Sequence, residues 1–151
     1  MNKLNVRQAV ASDLDALSEL FDQFRQFQGK AADLPACRDF LHDRFNHAES
    51  VLFLASLAAQ PVGFAQLYPS FSSTALRRVF ILNDLYVATK GRRAGVATAL
   101  LAAVEQYAWS FSASRVTLNV ARTNIAAQEL YAAKAWVQDA EFFMYHQYPQ
   151  D

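Results

Sequence analysis

The sequence predicts an α/β fold in which four helices pack on a mixed β-sheet of six or seven strands. Three apolar segments, residues 51–57, 61–68 and 78–87, follow one another closely, which is typical of an antiparallel meander. A helical segment then separates the third strand from an apolar segment at residues 115–121. A helix between two strands predicts that they lie parallel in one sheet. The predicted order is β-α-α-β-β-β-α-β-α-β, with a further closing strand if the last segment is divided in two.

The first third of the chain is predicted to form one strand and two helices. Apolar and polar side chains alternate over residues 3–9, which indicates a strand. Ser12 precedes a stripe of apolar residues at helical spacing and is the expected N-cap, and Gly29 is expected to end that helix. A second helix is predicted over residues 35–47, with a proline in its first turn.

The later segments complete the sheet and add two more helices. Residues 69–73 read Pro-Ser-Phe-Ser-Ser, which interrupts the apolar pattern and predicts a loop. Residues 96–104 repeat their large apolar side chains at the spacing of one buried helix face. A short helix is predicted over residues 124–134, and the alternating segment at residues 136–148 predicts one or two closing strands.

Length and composition favour a single domain over residues 1–151. Because 53% of the residues are apolar, the chain can bury a substantial core. Fourteen basic residues balance fourteen acidic ones, so charge gives no reason to expect a nucleic acid or an anionic membrane as partner. The single cysteine, Cys37, cannot form an intramolecular disulfide and is compatible with a reducing cytosol. The sequence has no apolar run of about 20 residues and no signal-peptide core, so we expect a cytoplasmic protein.

The segment between the strand at residues 78–87 and the following helix predicts an anion-binding site. It reads Arg92-Arg93-Ala94-Gly95-Val96-Ala97 and leads into the first helical turn. The first turn of a helix has backbone N–H groups without internal partners, and its dipole end is positive. Gly95 has no side chain and Ala97 almost none, so a diphosphate could approach these N–H groups closely. Arg92 and Arg93 add positive charge beside such an anion.

This R-x-x-G-x-A string is not specific when taken alone, because arginines and small residues are common near helix starts. It is not a P-loop, since G-x-x-x-x-G-K-[ST] is absent, and no G-x-G-x-x-G dinucleotide fingerprint follows the strand. A second motif lies about thirty residues further along the chain. Residues 124–136 read N-I-A-A-Q-E-L-Y-A-A-K-A-W, which fits N-x-x-A-x-x-L-Y-x-x-x-(G/A)-(F/W).

With these two motifs the chain resembles the GCN5-related N-acetyltransferase (GNAT) superfamily. The order of elements agrees along the whole chain, and the resemblance is strongest from Ile81 to Trp136. It implies a twisted mixed sheet that opens in its middle and acetyl-CoA as the acetyl donor. The sequences around Tyr68–Phe71 and Leu82–Val87 look most like the polyamine and thialysine acetyltransferase branch.

The resemblance also implies roles for the matching residues. The loop N–H groups receive the CoA diphosphate, while a bulge at the end of the preceding strand frees backbone groups for pantetheine and for the thioester carbonyl. Asn124 matches a polar contact to the CoA arm, and Tyr131 matches the residue that protonates the departing thiolate. The cofactor-binding residues expected on this basis are Leu85, Tyr86, Val87, Arg92, Arg93, Ala94, Gly95, Val96, Ala97, Thr98, Asn124 and Tyr131.

Three positions depart from the family pattern. In the second motif Ala135 replaces the usual glycine and Trp136 the usual phenylalanine, which are mild changes provided that Ala135 needs no positive φ. In the polyamine branch a glutamate often stands where Asn83 stands, and it is discussed as a base or as a ligand of the substrate amine. Asparagine cannot accept a proton at neutral pH, so Asp84 is the remaining carboxylate on the strand and the second candidate catalytic residue. Asp84 could equally be a structural carboxylate bonded to the backbone or to Arg78.

The acceptor is expected to bind near the same strand, against Tyr68, Phe71, Asn83 and Asp84. In a regular strand Asn83 and Asp84 point to opposite faces, so both can reach the acceptor only if the bulge twists the strand. The implied acceptor is a small primary amine, a polyamine or a lysine-like side chain. A bulky antibiotic or a protein N-terminus is the other enzymatic possibility.

The chemistry itself explains the groups that are needed. Acetyl transfer to an amine forms a tetrahedral oxyanion, which one fixed N–H donor stabilises by about 3–4 kcal/mol. The leaving thiolate has a pKa of about 8.5, within reach of a phenol as proton donor. The attacking amine must be neutral, so a base or a water chain must take its proton.

Two further expectations concern partners. The three histidines, His42, His47 and His146, lack metal-ligand spacing, so no metal is expected. A homodimer is expected by analogy with the family. A CoA-binding sensor or interaction module without turnover is the alternative from another functional class, and the absence of a base at Asn83 is its only support.

Overall fold

Regular secondary structure forms most of residues 3–119 and one further helix in the computed structural model, which describes residues 3–150. The strands are β1 (Leu4–Gln8), β2 (Val51–Leu57), β3 (Gln60–Ser72), β4 (Arg77–Val87) and β5 (Arg115–Thr117). The helices are α1 (Leu14–Phe27), α2 (Leu34–Asn46), α3 (Val96–Ser110) and α4 (Ile125–Ala133). Short 3-10 turns precede α1 and follow β4. The α/β class and the order of these elements are confirmed.

The strands of the described chain form one mixed sheet in the order β1-β2-β3-β4-β5. Strands β1 to β4 pair antiparallel with their neighbours, and the pairing of β2, β3 and β4 confirms the predicted meander. Strand β5 pairs parallel with β4, as the crossover through α3 predicts. The sheet has five strands within residues 3–150 rather than six or seven.

The missing strands are those predicted near the end of the chain. Residues 136–148 form no strand, and β5 ends at Thr117 rather than at residue 121. Alternation of side chains indicates which residues share a face, but a strand also needs a neighbouring strand for its backbone hydrogen bonds. Residues 136–148 have the alternating pattern, but within the described chain they pair with no strand.

The loop predicted at residues 69–73 is also wrong, because β3 continues to Ser72. Pro69 pairs with Phe80 of β4, and Phe71 pairs with Arg78. Strand β2 pairs with β3 only as far as Leu67, so Pro69 lies where β3 has an open edge. A proline that lacks a backbone donor is tolerated at such an edge.

Helices α1 and α3 cover opposite faces of the sheet. Phe64 of β3 is fully buried, and its ring lies 6.2 Å from that of Phe21 and 6.0 Å from that of Phe24, both on α1. The neighbouring Gly63 faces α3, where an added Cβ would meet Val96 at 3.1 Å. Side chains alternate along a strand, so these two neighbours face the two helices.

The start of α1 differs from the prediction in its capping residue. Ser12 lies within a 3-10 turn, Ala11–Asp13, and the stabilising side chain is the next one. Asp13 accepts the backbone N–H of Val10 at 2.8 Å and forms two hydrogen bonds with Arg7, at 2.7 and 2.8 Å. This bidentate pair fixes the chain between β1 and α1.

The described chain divides into two compact units, one ending at Asn119 and the other beginning at Val120. The first unit contains the whole sheet with α1, α2 and α3. The second contains α4 and residues 134–150. The single domain expected over residues 1–151 stays a prediction.

Candidate active site

The loop that follows β4 is held against β3 by close backbone packing. A 3-10 turn, Thr89–Gly91, follows the strand, and Gly91 is buried in it. A Cβ at Gly91 would lie only 2.7 Å from Cβ of Val62, so no other residue fits without displacing the loop. Ala88 also donates its N–H to the carbonyl oxygen of Val62 at 2.8 Å. The position of the loop is therefore fixed before α3 begins.

The first turn of α3 presents unused hydrogen-bond donors, as the sequence predicts. Gly95 is the N-cap, with φ +75°, and no side chain caps the helix. The first N–H to bond back is that of Ala99, which donates to the carbonyl oxygen of Gly95 at 3.0 Å. Within the described chain, residues 93–98 donate no backbone N–H hydrogen bond. These donors are available to a ligand.

A cavity of about 180 Å³ lies at these donors. Its lining includes most of the loop and helix residues expected to bind the cofactor, namely Val87, Arg92, Arg93, Gly95, Val96, Ala97 and Thr98, together with Gly91. Ala94 is exposed nearby and does not line the cavity. The small size of the residues at positions 95 and 97 leaves the backbone accessible. The cavity is concave, rich in N–H donors and flanked by cations, which suits a diphosphate.

The two arginines contribute in different ways. Arg92 donates its Nε to the carbonyl oxygen of Val87 at 3.3 Å, which ties its side chain to the end of β4. Arg93 is exposed and has φ +63°, a left-handed conformation that costs a non-glycine residue about 1–2 kcal/mol. Strain of this kind persists where the surrounding structure imposes it, commonly at ligand sites.

The bulge of β4 lies at Asn83, before Leu85 to Val87. Gln66 of β3 pairs with Asp84, and the next residue, Leu67, pairs with Leu82, so Asn83 is the extra residue. Leu85, Tyr86 and Val87 keep regular register with β3, at Ala65, Phe64 and Gly63 respectively. These three residues therefore follow the bulge, at the end of the strand that contains it.

The edge of β4 beyond the bulge is nevertheless open. Strand β5 pairs only with Val79, Phe80 and Ile81. No strand of the described chain covers the β5 side of β4 from Leu82 to Val87. The backbone groups on that side of Leu85 to Val87 are therefore free of a β-ladder, and the sheet opens as the resemblance implies.

Asp84 is a buried carboxylate within a small polar cluster. It is 6% exposed, and its Oδ2 accepts Nε2 of Gln66 at 2.6 Å. Its Oδ1 accepts Nδ2 of Asn83 at 3.3 Å, although Asn83 is exposed. Burial raises the pKa of Asp84, and these two hydrogen bonds oppose the rise. The bulge thus brings both residues together, and the bonds of Asp84 run to these amides rather than to Arg78.

Gln66 was missed by the sequence reasoning. Its side chain is fully buried, and its Oε1 has no hydrogen-bond partner. A buried polar atom without a partner is costly and is commonly satisfied by a ligand or by water. The available signal was a single amide inside an otherwise apolar strand, Val-Gly-Phe-Ala-Gln-Leu.

Two of the expected acceptor residues lie on β3 and differ in exposure. Tyr68 is half-buried, and burial, with the nearby charge of Asp84, raises the pKa of Tyr68 to about 12. Its phenol is therefore neutral over the physiological range. Phe71 is 68% exposed, and its ring stacks on the guanidinium of Arg78 at 5.2 Å. The structure thus places Tyr68 beside the carboxylate and gives Phe71 a different contact.

The second unit contains the other two expected site residues. Asn124 caps α4, because its Oδ1 accepts the N–H of Ala127 at 3.2 Å. Tyr131 lies on α4 with its ring 5.9 Å from that of Trp136, and burial raises the pKa of Tyr131. Ala135 follows α4 with φ +65°, so the condition under which its replacement of glycine would be mild is not met.

Residues 3–150 contain no cluster of three or more His, Cys, Asp or Glu side chains that could hold a metal ion. Across the same residues, no helix combines the length and the apolar character needed to cross a membrane.

Comparisons with known proteins agree with this geometry. The family model described as "Acetyltransferase (GNAT) family" matches residues 14–135. An uncharacterized N-acetyltransferase of Bacillus subtilis (strain 168), YhfO, is 39% identical over 142 residues, covering 94% of this chain and 95% of its own. A probable acetyltransferase of Haemophilus influenzae is 25% identical over 118 residues, covering 78% of this chain and 81% of its own.

Solved structures show the same fold. The crystal structure of a probable acetyltransferase has a TM-score of 0.92 and 39% identity, and the match covers 97% of this chain and 99% of that one. An aminoglycoside N-acetyltransferase in complex with CoA has a TM-score of 0.81 at 18% identity, with 97% and 96% of the chains covered. At that identity the likeness shows the fold alone. The family model spans most of this chain, which therefore belongs to the GNAT family and is an acyl-CoA-dependent acetyltransferase.

Proposed function

We propose that this enzyme transfers the acetyl group of acetyl-CoA directly to the nitrogen of a primary amine. The acceptor is a small amine, a polyamine or a lysine-like side chain. The observation that carries the proposal is the cavity after β4, where residues 93–98 offer N–H groups that bond to nothing else in the described chain. Such a turn receives a diphosphate, and CoA supplies one.

In this proposal the loop holds the donor by its diphosphate. The N–H groups of residues 93–98 bond the phosphate oxygens, while Arg92 and Arg93 neutralise their charge. The open edge of β4 from Leu85 to Val87 provides backbone groups for the pantetheine amides and for the thioester oxygen. Asn124 contacts the CoA arm, a role compatible with its cap because an amide side chain has two donors and two acceptor sites.

The acceptor amine is received by the polar cluster around Asp84. An ammonium ion entering the cluster would pair with the carboxylate and would also find the unpartnered Oε1 of Gln66. A raised pKa makes Asp84 a better proton acceptor than an ordinary aspartate. Tyr68 and Asn83 border the same group, and Phe71 is proposed to contact the apolar part of the acceptor further along β3.

Tyr131 is proposed as the acid that protonates the thiolate. The amine attacks the thioester carbon, the carbon–sulfur bond breaks, and the phenol proton passes to sulfur. Because its pKa is raised by burial, the phenol is neutral when the thiolate forms. The thiolate is the weaker base of the two, so transfer is completed as the phenolate regains a proton that the acceptor nitrogen releases. Atoms and charges then balance, with CoA and the amide as products.

Two measurements on the full chain test the proposal. Calorimetry with acetyl-CoA and with CoA should show binding, because both ligands carry the diphosphate that the loop N–H groups can bond. Release of free CoA with a panel of diamines, polyamines, lysine derivatives, aminoglycosides and N-terminal peptides then identifies the acceptor class. Absence of CoA binding would overturn the whole proposal. Binding without release for any acceptor would favour a sensor, and release with an aminoglycoside or an N-terminal peptide alone would move the acceptor class away from small amines.

Replacing the phenol tests the acid. Tyr131→Phe should lower kcat by about 10²–10⁴ while leaving the dissociation constant of acetyl-CoA nearly unchanged, because only the proton donor is lost. Tyr148→Phe is the matched control, since Tyr148 is 73% exposed near the end of the chain. Equal turnover in Tyr131→Phe and the wild-type enzyme would show that another group supplies the proton.

We further propose one domain, a homodimer and a cytoplasmic location. The family model supports one domain, because its match to residues 14–135 crosses the division after Asn119. Exposed aromatic side chains between residues 142 and 148 support self-association. A single cysteine, buried and unpaired by any disulfide, is compatible with the cytoplasm.

A further inference from the structure

A second cavity lies at the other end of β4 from the cofactor loop. Its volume is about 350 Å³, within the range of about 300–1,000 Å³ typical of small-molecule sites. Its lining includes Arg78 and Phe80, near the start of β4. The only residue of β4 that lines the cofactor cavity is Val87, the last residue of the strand. That span of strand separates the two cavities by roughly 20–30 Å. The proposed acetyl transfer makes no use of this cavity.

Packed aromatic rings form one wall of this cavity. The ring of Tyr107 lies 5.5 Å from that of Phe80 and 4.8 Å from that of Phe111. Phe80 is 2% exposed, and Phe53 supports Tyr107 from behind at 5.7 Å. Rings that are fixed by one another offer a preformed apolar surface, which suits a flat aromatic ligand.

One cation stands beside this wall. The guanidinium carbon of Arg78 lies 5.2 Å from the ring centre of Phe71 and 6.0 Å from that of Phe111. Within residues 3–150, no carboxylate oxygen lies within 4.0 Å of the Arg78 side-chain nitrogens, since the ion pairs there involve other arginines. The two rings orient the guanidinium, and its charge has no carboxylate partner in the described chain. An arginine held in this way is prepared for a planar anion.

A third group lines the same cavity. The Oγ of Ser50 is buried and has no hydrogen-bond partner in the described chain. A hydroxyl in this position can donate to an anion or accept from a ligand N–H or O–H group. Aromatic wall, arginine and orphaned hydroxyl therefore line a single cavity.

We propose that this cavity binds a small aromatic carboxylate, with its ring against Tyr107 and Phe111, which the buried Phe80 supports, and its carboxylate on Arg78 and Ser50. One arginine matches one carboxylate in a bidentate pair, whereas a phosphate ester would leave further charge in a largely aromatic pocket. None of the lining residues belongs to the cofactor cavity, and the ligand is of a different class, but Phe71, proposed above to contact the acceptor, stacks on the arginine of this site.

Titration of the full-length protein with benzoate tests the site, using calorimetry together with amide chemical shifts. Benzoate should bind with a dissociation constant of about 1 mM or tighter, as expected for a ligand of about nine heavy atoms. Benzamide has the same shape without the charge and should bind at least about 10-fold more weakly. The shifts should centre on residues 50–51, 78–80 and 107–111. Equal binding of benzamide, shifts elsewhere, or no binding of benzoate at 10 mM would overturn the proposal.

Variants test whether Arg78 and Ser50 themselves bind the carboxylate, or whether any loss of positive charge weakens binding. Arg78→Gln should weaken benzoate binding by about 10-fold or more, and Arg78→Lys by less, because lysine keeps the charge without the planar fork. Ser50→Ala should weaken it by about 3- to 10-fold. Arg115→Gln removes the same charge from an exposed position on β5 and should leave binding unchanged. An unchanged constant in both Arg78→Gln and Ser50→Ala would refute the assignment.

Acetyl-CoA distinguishes the two cavities. The benzoate constant should be the same in the presence and absence of saturating CoA, because the ligands occupy opposite ends of β4. Displacement of benzoate by CoA would place it at the cofactor loop and would overturn the proposal.

Discussion

The burial and the hydrogen bonds of Asp84 act on its charge in opposite directions. It is 6% exposed, which disfavours its charge, and it is bonded by two amide groups that favour the charge. Burial dominates, so the pKa of this carboxyl is raised. A proton acceptor needs a pKa closer to neutrality than that of a free aspartate, so the environment suits the proposed role.

The Asp84→Asn substitution should separate function from stability. The folded pKa of Asp84 is raised, so its contribution to stability is present below the unfolded pKa and is lost as pH rises through the folded pKa. The variant should therefore be as stable as the wild-type protein, or more stable, at pH 8. Its kcat/KM should fall by about 10²–10⁴, and the acidic limb of the pH–rate profile should disappear.

Asp39→Asn is the matched control for that experiment, because Asp39 is an exposed aspartate on α2. Both variants need melting curves and pH profiles of kcat/KM. A profile for Asp84→Asn that keeps its acidic limb would show that a different group titrates.

Asp13 presents the opposite electrostatic case. Its hydrogen bonds with Arg7 and with the N–H of Val10 lower the pKa of Asp13, although burial opposes them. The depressed folded pKa means that this stability is present above the unfolded pKa, about 3.9, and is lost as pH falls through the folded pKa. Asp13→Asn should lower the free energy of unfolding by about 1–3 kcal/mol at pH 7, measured by urea denaturation, and by less at pH 3.

Asp15→Asn serves as the control for Asp13. Its carboxylate lies 3.4 Å from Arg38 and is 81% exposed. An exposed pair of this kind contributes about 0–1 kcal/mol. Similar losses for the two variants would show that burial of the Arg7–Asp13 pair adds nothing.

Among single residues, a sequence motif predicts candidates, whereas a residue whose role depends on a distant hydrogen-bond partner is not predicted. Gly95 and Tyr131 became candidate site residues because the spacing of a local motif marks them. Gln66 and Asp13 act through partners on other strands or turns, and the register that creates those contacts is not visible in local spacing.

Among the elements, α4 is followed by a residue in the left-handed conformation, Ala135, which is not a glycine. The N–H of Trp136 donates to the carbonyl oxygen of Tyr131 at 2.9 Å, and that of Ala135 donates to Ala132 at 3.1 Å. These two bonds form a Schellman motif, whose left-handed position normally holds glycine. Ala135 occupies it with φ +65°.

Ala135→Gly should consequently raise the free energy of unfolding by about 1 kcal/mol, because glycine removes the left-handed strain. Ala132→Gly, within the same helix at an ordinary helical position, should lower it by about 1 kcal/mol. Thermal denaturation of both variants tests the pair of signs. Destabilisation by both would mean that the backbone entropy of glycine outweighs the relieved strain.

The elements that could be predicted were those defined by their own periodicity. Helix α1 and strand β2 have bounds close to those predicted, and α3 begins where its apolar spacing begins, because each is marked by its own pattern of apolar residues. The predicted strand β3 ends before Pro69, because a proline argues against a strand unless it lies on an open edge. The position of the bulge, at Asn83, depends on cross-strand register, which local spacing does not reveal.

The molecule as a whole leaves apolar surface exposed near the end of the chain. Phe142, Phe143, Tyr145 and Tyr148 are 77, 90, 88 and 73% exposed. Several large apolar side chains exposed within one short segment commonly mark a protein–protein contact. A second copy of the chain carries the same surface, so the twofold contact of the proposed homodimer would bury it on both copies at once.

The proposed homodimer therefore depends on the segment at residues 142–148. Sedimentation velocity should give a species of twice the 16.9 kDa chain mass for the wild-type protein, because self-association removes these side chains from water. The double substitution Phe143→Ser with Tyr145→Ser should shift the protein to monomer. Leu76→Ser is the control, since Leu76 is 89% exposed at the turn between β3 and β4 and should leave the dimer intact. A wild-type protein that stays monomeric at about 100 μM would contradict the dimer, because specific protein–protein interfaces commonly hold in the micromolar range or tighter.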